Sequence, residues 1–262
     1  MKLVPKNPVE LKKMRAAGRL TAGVLDMIGD YVKPGVSTLE LNDRCEEFMR
    51  RGGGIPATLG YKGYPKASCI SVNDVVCHGI PSAGEILQDG DILNIDVTSI
   101  VDGFHGDSSR MYVAGKASPE AMKLISTTYN AMMAGIETVK SGSFLYEIGN
   151  AIEPLAAEQG YSVVREYCGH GLGKIFHEDP MVLHYANRDF PTNRLRTGLT
   201  FTVEPMINMG TWKTKLMDDG WTVRTLDGKL SAQFEHTIAV TEDGVEILTE
   251  SLAGYTCPPY KS

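Results

Sequence analysis

Apolar residues recur at helical spacing near the start of the chain, at Leu11, Met14, Val24 and Ile28. Asn7-Pro8-Val9-Glu10 is a helix start: a capping amide, proline at the first helical position and a glutamate three residues after the cap. The pattern predicts a helix that stops before Pro34-Gly35. Ser37 to Glu40 forms a second capping box and opens a helix carrying Leu41, Cys45 and Phe48. Gly52-Gly53-Gly54 ends it, because glycine enters the left-handed conformation at no steric cost. The period then changes to two. Asp91 to Val101 sets Leu93, Ile95 and Val97 against Asn94, Asp96 and Thr98, and Phe104 to Val113 follows as its partner. Asp102-Gly103 between them is a two-residue hairpin turn. Leu199 to Glu204 and Ser231 to Val240 alternate in the same way.

The helical phrase returns. Val32-Lys33-Pro34-Gly35, Glu40-Leu41 and Gly53 align with Val139-Lys140-Ser141-Gly142, Glu147-Ile148 and Gly160 at a constant offset of 107. Ser118-Pro119 precedes the second copy as Asn7-Pro8 precedes the first. Two related halves are expected, roughly 1–115 and 116–262, each running from helix–turn–helix into strands. No Ser- or Pro-rich linker divides them, so 1–262 reads as a single α+β domain with internal pseudo-symmetry.

Composition narrows the function. Lys plus Arg is 26 and Asp plus Glu is 32, a net charge of −6, which argues against a protein built to grip nucleic acid. No apolar run approaches the ~18–20 residues of a membrane span. The first twenty residues lack the apolar core of a secretory signal. The five cysteines are odd in number and contain no Cys-x-x-Cys, against a disulfide framework or zinc ribbon. Reduced thiols and a cytoplasmic location are the expectation.

The hairpin carries the first chemistry. With Asp102-Gly103 at its tip, Thr98 falls opposite Asp107, and Asp96 shares the face of Thr98. Two carboxylates so close are costly unless a cation, a proton or a basic residue compensates, although acids of a hairpin can simply face water. Glu204 shares a face with Thr200 and Thr202, and Glu235 with Gln233 and Thr237. Glutamate is disfavoured in such β-branched runs. Cys168-Gly-His-Gly-Leu-Gly-Lys-Ile-Phe-His177 adds imidazoles, with Gly169, Gly171 and Gly173 letting the backbone approach a ligand closely. His78 lies in a turn. Two Asp, two Glu and one or more His suit two divalent ions, which share and acidify a water and polarise a carbonyl. Amide or ester hydrolysis is the natural outcome. No Gly-x-Ser-x-Gly elbow offers a serine nucleophile.

The stretches GYPKASCISVNDVVCHGIP, DGDILNIDVT, DGFHGDSSRM, SVVREYCGHGLGKIFHEDP, GLTFTVEPM, DGWTV and LSAQFEHTI, in this order, resemble bacterial type I methionine aminopeptidases over nearly the whole chain. The resemblance implies the pita-bread fold, two pseudo-symmetric αβ halves around a di-metal cleft. It places the metal ligands on Asp96, Asp107, His170, Glu204 and Glu235, with Asp107 and Glu235 bridging. It implies that His78 and His177 contact the scissile amide and that Glu204 also handles a proton. Tyr61, Tyr64, Cys69, Phe176 and Trp221 would line a methionine pocket, Gln233 would lie near it, and Asn73, Val75 and Ser231 match a monovalent-cation loop. The implied activity is removal of initiator methionine from nascent polypeptide N-termini before a small second residue. The metal would be Fe(II), Mn(II), Co(II) or Zn(II), and the enzyme a monomer with an association to the ribosome. Thr58 and Lys62 depart from the common Cys and His of the family. Only 26 residues lie between His177 and Glu204, too few for the helical insertion of type II enzymes. Neither the cysteine-rich N-terminal extension of eukaryotic type I relatives nor the extra N-terminal domain of prolidase and aminopeptidase P relatives is expected here. A non-catalytic binding protein on the same fold, or an aminopeptidase of altered specificity, is the alternative. His105, His184 and His236 are expected to be structural, exposed or turned away.

Overall fold

The computed structural model describes residues 3–187 and 194–260. Four helices, α1 (Pro8–Ile28), α2 (Thr38–Arg51), α3 (Pro119–Glu137) and α4 (Tyr146–Glu158), pack on a nine-stranded antiparallel sheet. Its main path runs Ile55–Pro56, Ile92–Val101, Phe104–Val113, Glu235–Val240, Thr200–Val203, Gly169–Gly171, Glu178–Val182. Two three-stranded sheets flank it. Among the described residues no helix is long and apolar enough to cross a membrane.

The helix starts follow their capping chemistry. Asn7 Oδ1 accepts from the backbone of Val9 and Glu10, and Glu10 returns a carboxylate to Asn7 N–H. Ser37 and Ser118 accept from Glu40 and Ala121 at the starts of α2 and α3. The repeat is visible in three dimensions. Shifted by the sequence offset, α2 overlays the span of α4. The turn glycines match too: Gly35 and Gly142 have φ of 89° and 93°, Gly53 and Gly160 of 78° and 76°. A side chain at any of the four would be strained.

Leu93, Ile95 and Val97 bury against Val24, Leu25, Ile28, Leu41 and Met49 of α1 and α2. A second core joins Leu124, Ile125, Met132, Ile148 and Ile152 of α3 and α4 to Phe201, Val203 and Ile238. The helices therefore cover one face of the sheet, and the polar residues between these positions fall on the other. Gly106 sets the closest approach of α1, since a Cβ there would lie 2.5 Å from the Ala17 carbonyl carbon. Gly106→Ala is expected to cost about 1–3 kcal/mol by pushing the helix off the sheet. Chemical denaturation measures this, and an unchanged midpoint would contradict the packing.

Behind the same strand, Arg110 is buried and its Nη1 lies 2.5 Å from Asp26 Oδ1 of α1. Asp26 also accepts from Ser251 Oγ (2.6 Å) and from the backbone of Leu252 and Ala253. The tail, for which the sequence offers no reading, folds back so that Tyr260 donates to the Met111 carbonyl and packs on Tyr112.

One expected strand is two. Ser231–Gln233 pairs with Met206–Asn208 in a small sheet, whereas Glu235–Val240 pairs with Phe104–Val113 and Thr200–Val203 in the large one. The chain changes sheets at buried Phe234. Alternation fixes which side chains share a face, and both segments satisfy it, but it does not say which neighbour each pairs with.

Candidate metal centre and active-site cleft

The hairpin turn has both central residues left-handed, Asp102 at φ 50° and Gly103 at 77°, as a two-residue turn with right-handed strand twist requires. It fixes the register: Thr98 faces Asp107 and Asp96 faces Ser109. Thr98 Oγ1 donates to Asp107 Oδ1 (2.7 Å). The next strand brings Glu235 opposite Ser109. Thr237 on that strand clasps the Asp107 backbone, accepting from its N–H and donating to its carbonyl.

Thr202 orders the far side. Its hydroxyl accepts from His170 N–H (2.9 Å) and donates to Glu204 Oε1 (2.6 Å). His184 is buried, and its Nε2 accepts the Glu204 backbone N–H (3.0 Å). Gln233 Nε2 reaches Glu204 Oε2 at 3.4 Å. The His170 ring, with its proton on Nδ1, donates to the Gly171 carbonyl (3.1 Å). That tautomer leaves an Nε2 lone pair facing Asp107 Oδ2 (3.6 Å) and Glu204 Oε1 (3.7 Å). Donor atoms of Asp107, His170 and Glu235 all lie within 4.8 Å of one another. The two glycines beside His170 make room for neighbouring backbone. A Cβ at Gly169 would lie 2.4 Å from the Thr202 carbonyl oxygen, and one at Gly171 2.1 Å from that of Asp179.

Burial pushes the Asp96 carboxyl well above its ordinary range, with the charges of Asp107 and Glu204 adding to the effect. Burial does the same to Glu235, reinforced by Asp107, Glu204 and Asp96. Glu204 is pushed up to about 7 by burial, against the pull of His170 and of the Thr202 hydroxyl. Among the described residues no Lys or Arg forms a salt bridge with any of these four acids. Four carboxylates and one imidazole, crowded and without a basic partner, form the hard, oxygen-rich donor set that suits divalent cations. Such a charge would reverse the upward shifts.

These donors open into one cavity of about 350 Å³. It brings together every residue that the resemblance assigns to the ligand set, the methionine pocket and the histidine pair. Tyr61 packs on Phe176 (4.8 Å between centroids) and Tyr64 edge-on against Trp221 (5.2 Å). His177 stacks on Tyr61 (5.2 Å) and lies 4.1 Å from the His170 ring. Burial holds its pKa down to about 4, helped by His170 and by the Lys62 ammonium. His78, at φ 56°, meets Tyr167 and Trp221 edge-on, and burial lowers its pKa as well. Thr58 and Lys62 also line the cavity. Thr58 spends its hydroxyl on the Lys66 carbonyl (3.0 Å).

Sequence reasoning missed Glu166, Tyr167, Cys168, Met181 and Met206, which complete the walls. The first three directly precede the Gly-His-Gly stretch, and that adjacency was the available signal. His105 and His236 are buried, bonded to the Gly173 carbonyl and to Thr249 and turned away from the donors. Asn73 and Ser231 meet outside the cavity, where Ser231 N–H donates to the Asn73 carbonyl (2.9 Å). The buried Ser231 Oγ has no hydrogen-bond partner.

The chain is similar to known proteins over nearly its whole length. Methionine aminopeptidase A of Synechocystis sp. is 56% identical over 240 residues, covering 92% of this chain and 94% of that protein. The methionine aminopeptidase of Escherichia coli (strain K12) is 54% identical over 246 residues, covering 93% and 92%. The crystal structure of methionine aminopeptidase from Rickettsia prowazekii superposes with a TM-score of 0.92 at 52% identity, covering 95% of this chain and 100% of that one. Residues 12–242 match the model of Metallopeptidase family M24, and with a buried carboxylate–imidazole cluster at the floor of its cleft the chain belongs to that family.

Proposed function

We propose that this chain removes the N-terminal methionine from peptides and nascent polypeptides, favouring a small second residue. One observation carries the reading: the acid–imidazole cluster and the aromatic pocket are walls of a single cavity. A linear thioether side chain fills such a pocket well. The names of the similar proteins point the same way.

Asp96, Asp107, His170, Glu204 and Glu235 would hold two divalent ions. Fe(II), Mn(II), Co(II) and Zn(II) all suit the set. When bound, the ions supply Lewis acidity toward water and toward the peptide carbonyl. The residues do the rest. Glu204 takes a proton at Oε2, the oxygen not held by Thr202, and passes it toward the leaving amine. His177, a neutral imidazole fixed on Tyr61, presents a ring N–H to the scissile amide, and His78 does so from the opposite wall. Tyr61, Tyr64, Cys69, Phe176 and Trp221 enclose the methionine side chain. Asn73, Val75 and Ser231 would hold a monovalent cation, the orphaned Ser231 oxygen facing unspent. The likeness to bacterial enzymes extends the reading to a cytoplasmic monomer that meets chains at the ribosome, with 1–262 acting as one catalytic domain.

The test is release of methionine from Met-Ala-Ser and Met-Leu-Ser after loading with each of the four metals. The first peptide is expected to be cleaved, the second at least about a hundredfold more slowly, a loss of ~2.7 kcal/mol. Chelation should abolish both. No release with any metal would leave the binding-protein alternative standing.

A further inference from the structure

The mouth of the cavity carries two unlike charges. Lys62 and Glu166 both line it and both are exposed. Lys62 is unusual in its backbone. It is a non-glycine residue at φ 47°, ψ 28°, inside the short turn Tyr61–Gly63 and flanked by left-handed Gly60 and Gly63. Lysine gains nothing intrinsic from that conformation. The turn directs its ammonium over the Tyr61 ring, 5.3 Å from the centroid. The same ring stacks on His177. Among the described residues no carboxylate forms a salt bridge with Lys62. The result is a positive charge without a counter-ion, held on an aromatic platform one ring away from the proposed reaction site.

An extended peptide fixes what meets this charge. Side chains one and three of a strand share a face and lie roughly 6.6 Å apart along it. If the first side chain rests against Tyr61, the third is carried toward the neighbouring residue of the same turn. We propose that Lys62 forms a subsite for an acidic side chain at the third position of the substrate, making Met-small-Asp/Glu N-termini the preferred class. This rests on the proposed function and deepens it. The pair is solvent-exposed, so the gain is that of a surface ion pair, about 2–5-fold, and it is sensitive to salt.

The test uses the metal-loaded full chain and C-terminally amidated Met-Ala-Xaa-Gly peptides with Xaa as Asp, Asn or Lys, so that the side chain is the sole variable charge. Kinetics should give kcat/KM for Asp about 2–5-fold above Asn, carried by KM, with Lys lowest. Raising NaCl to about 0.5 M should shrink the ratio, since the screening length falls below ~5 Å. Lys62→Met should make Asp and Asn equivalent substrates, and Lys62→Glu should invert the order of Asp and Lys. A purely structural role for Lys62 would change all three peptides by one common factor. Equal rates for Asp and Asn in the native chain, a ratio that survives Lys62→Met, or a preference for Lys would overturn the subsite while leaving the proposed function intact. Failure to cleave any of the three would overturn both.

Discussion

Asp107→Asn is expected to lower kcat/KM for Met-Ala-Ser by at least about a thousandfold, some 4 kcal/mol of transition-state stabilisation. The change is nearly isosteric. Thr98 keeps an acceptor, and the clasp of Thr237 on the Asp107 backbone is untouched. What disappears is one negative charge, at the ligand that faces His170 Nε2 and stands between the two halves of the donor set. The same loss should leave the metal-free fold as stable as before or raise its melting temperature, because burial and mutual repulsion already penalise the neighbouring Asp96 and Glu235 carboxylates. Activity and melting temperature moving in opposite directions is the signature. An active Asp107→Asn enzyme would end the metal reading.

Asp26→Ala should be the most destabilising single change outside the cleft, by about 3–5 kcal/mol, because it strands the Arg110 guanidinium in the interior. Ser251, Leu252 and Ala253 lose their acceptor in the same stroke, so the returning tail should loosen as well. For a chain of this size each kcal/mol lowers the melting temperature by roughly 2–4 °C. Pairing the change with Arg110→Met removes the stranded charge and should recover most of the loss. A double variant no better than the single one would show that the charge is not the cause.

The catalytic hairpin was legible because two rules converge on it. Alternation put Asp96 and Thr98 on one face, and Asp-Gly at the tip fixed the register to the residue, so the Thr98–Asp107 contact follows from sequence. His236 was rightly turned away by the same alternation. The starts of α1, α2 and α3 followed from their caps, although Ser37–Glu40 makes only half of the expected capping box, and α4 starts without a side-chain cap. The glycines flanking His170 were read as room for a ligand; Gly169 and Gly171 also make room for neighbouring backbone, whose identity the sequence does not show. The break at Phe234 was invisible because strand partners lie far away in the chain. The walls at Glu166, Tyr167 and Met181 were missed for a related reason. Glu166 and Tyr167 offered only their adjacency to Gly-His-Gly and Met181 offered nothing, and they become walls only when the fold gathers them with Tyr61 and Trp221.

The seam between the repeats has a consequence for the newborn protein itself. Asp96 and Asp107 lie in the first repeat, while His170, Glu204 and Glu235 lie in the second, joined through the ladder that sets Glu235 against Ser109. During synthesis the first repeat emerges with two unaccompanied acids, and the strand that completes the set follows more than a hundred residues later. On the proposed ligand set, a partly made chain has no working centre, and activity would begin only as Glu235–Val240 pairs in the large sheet.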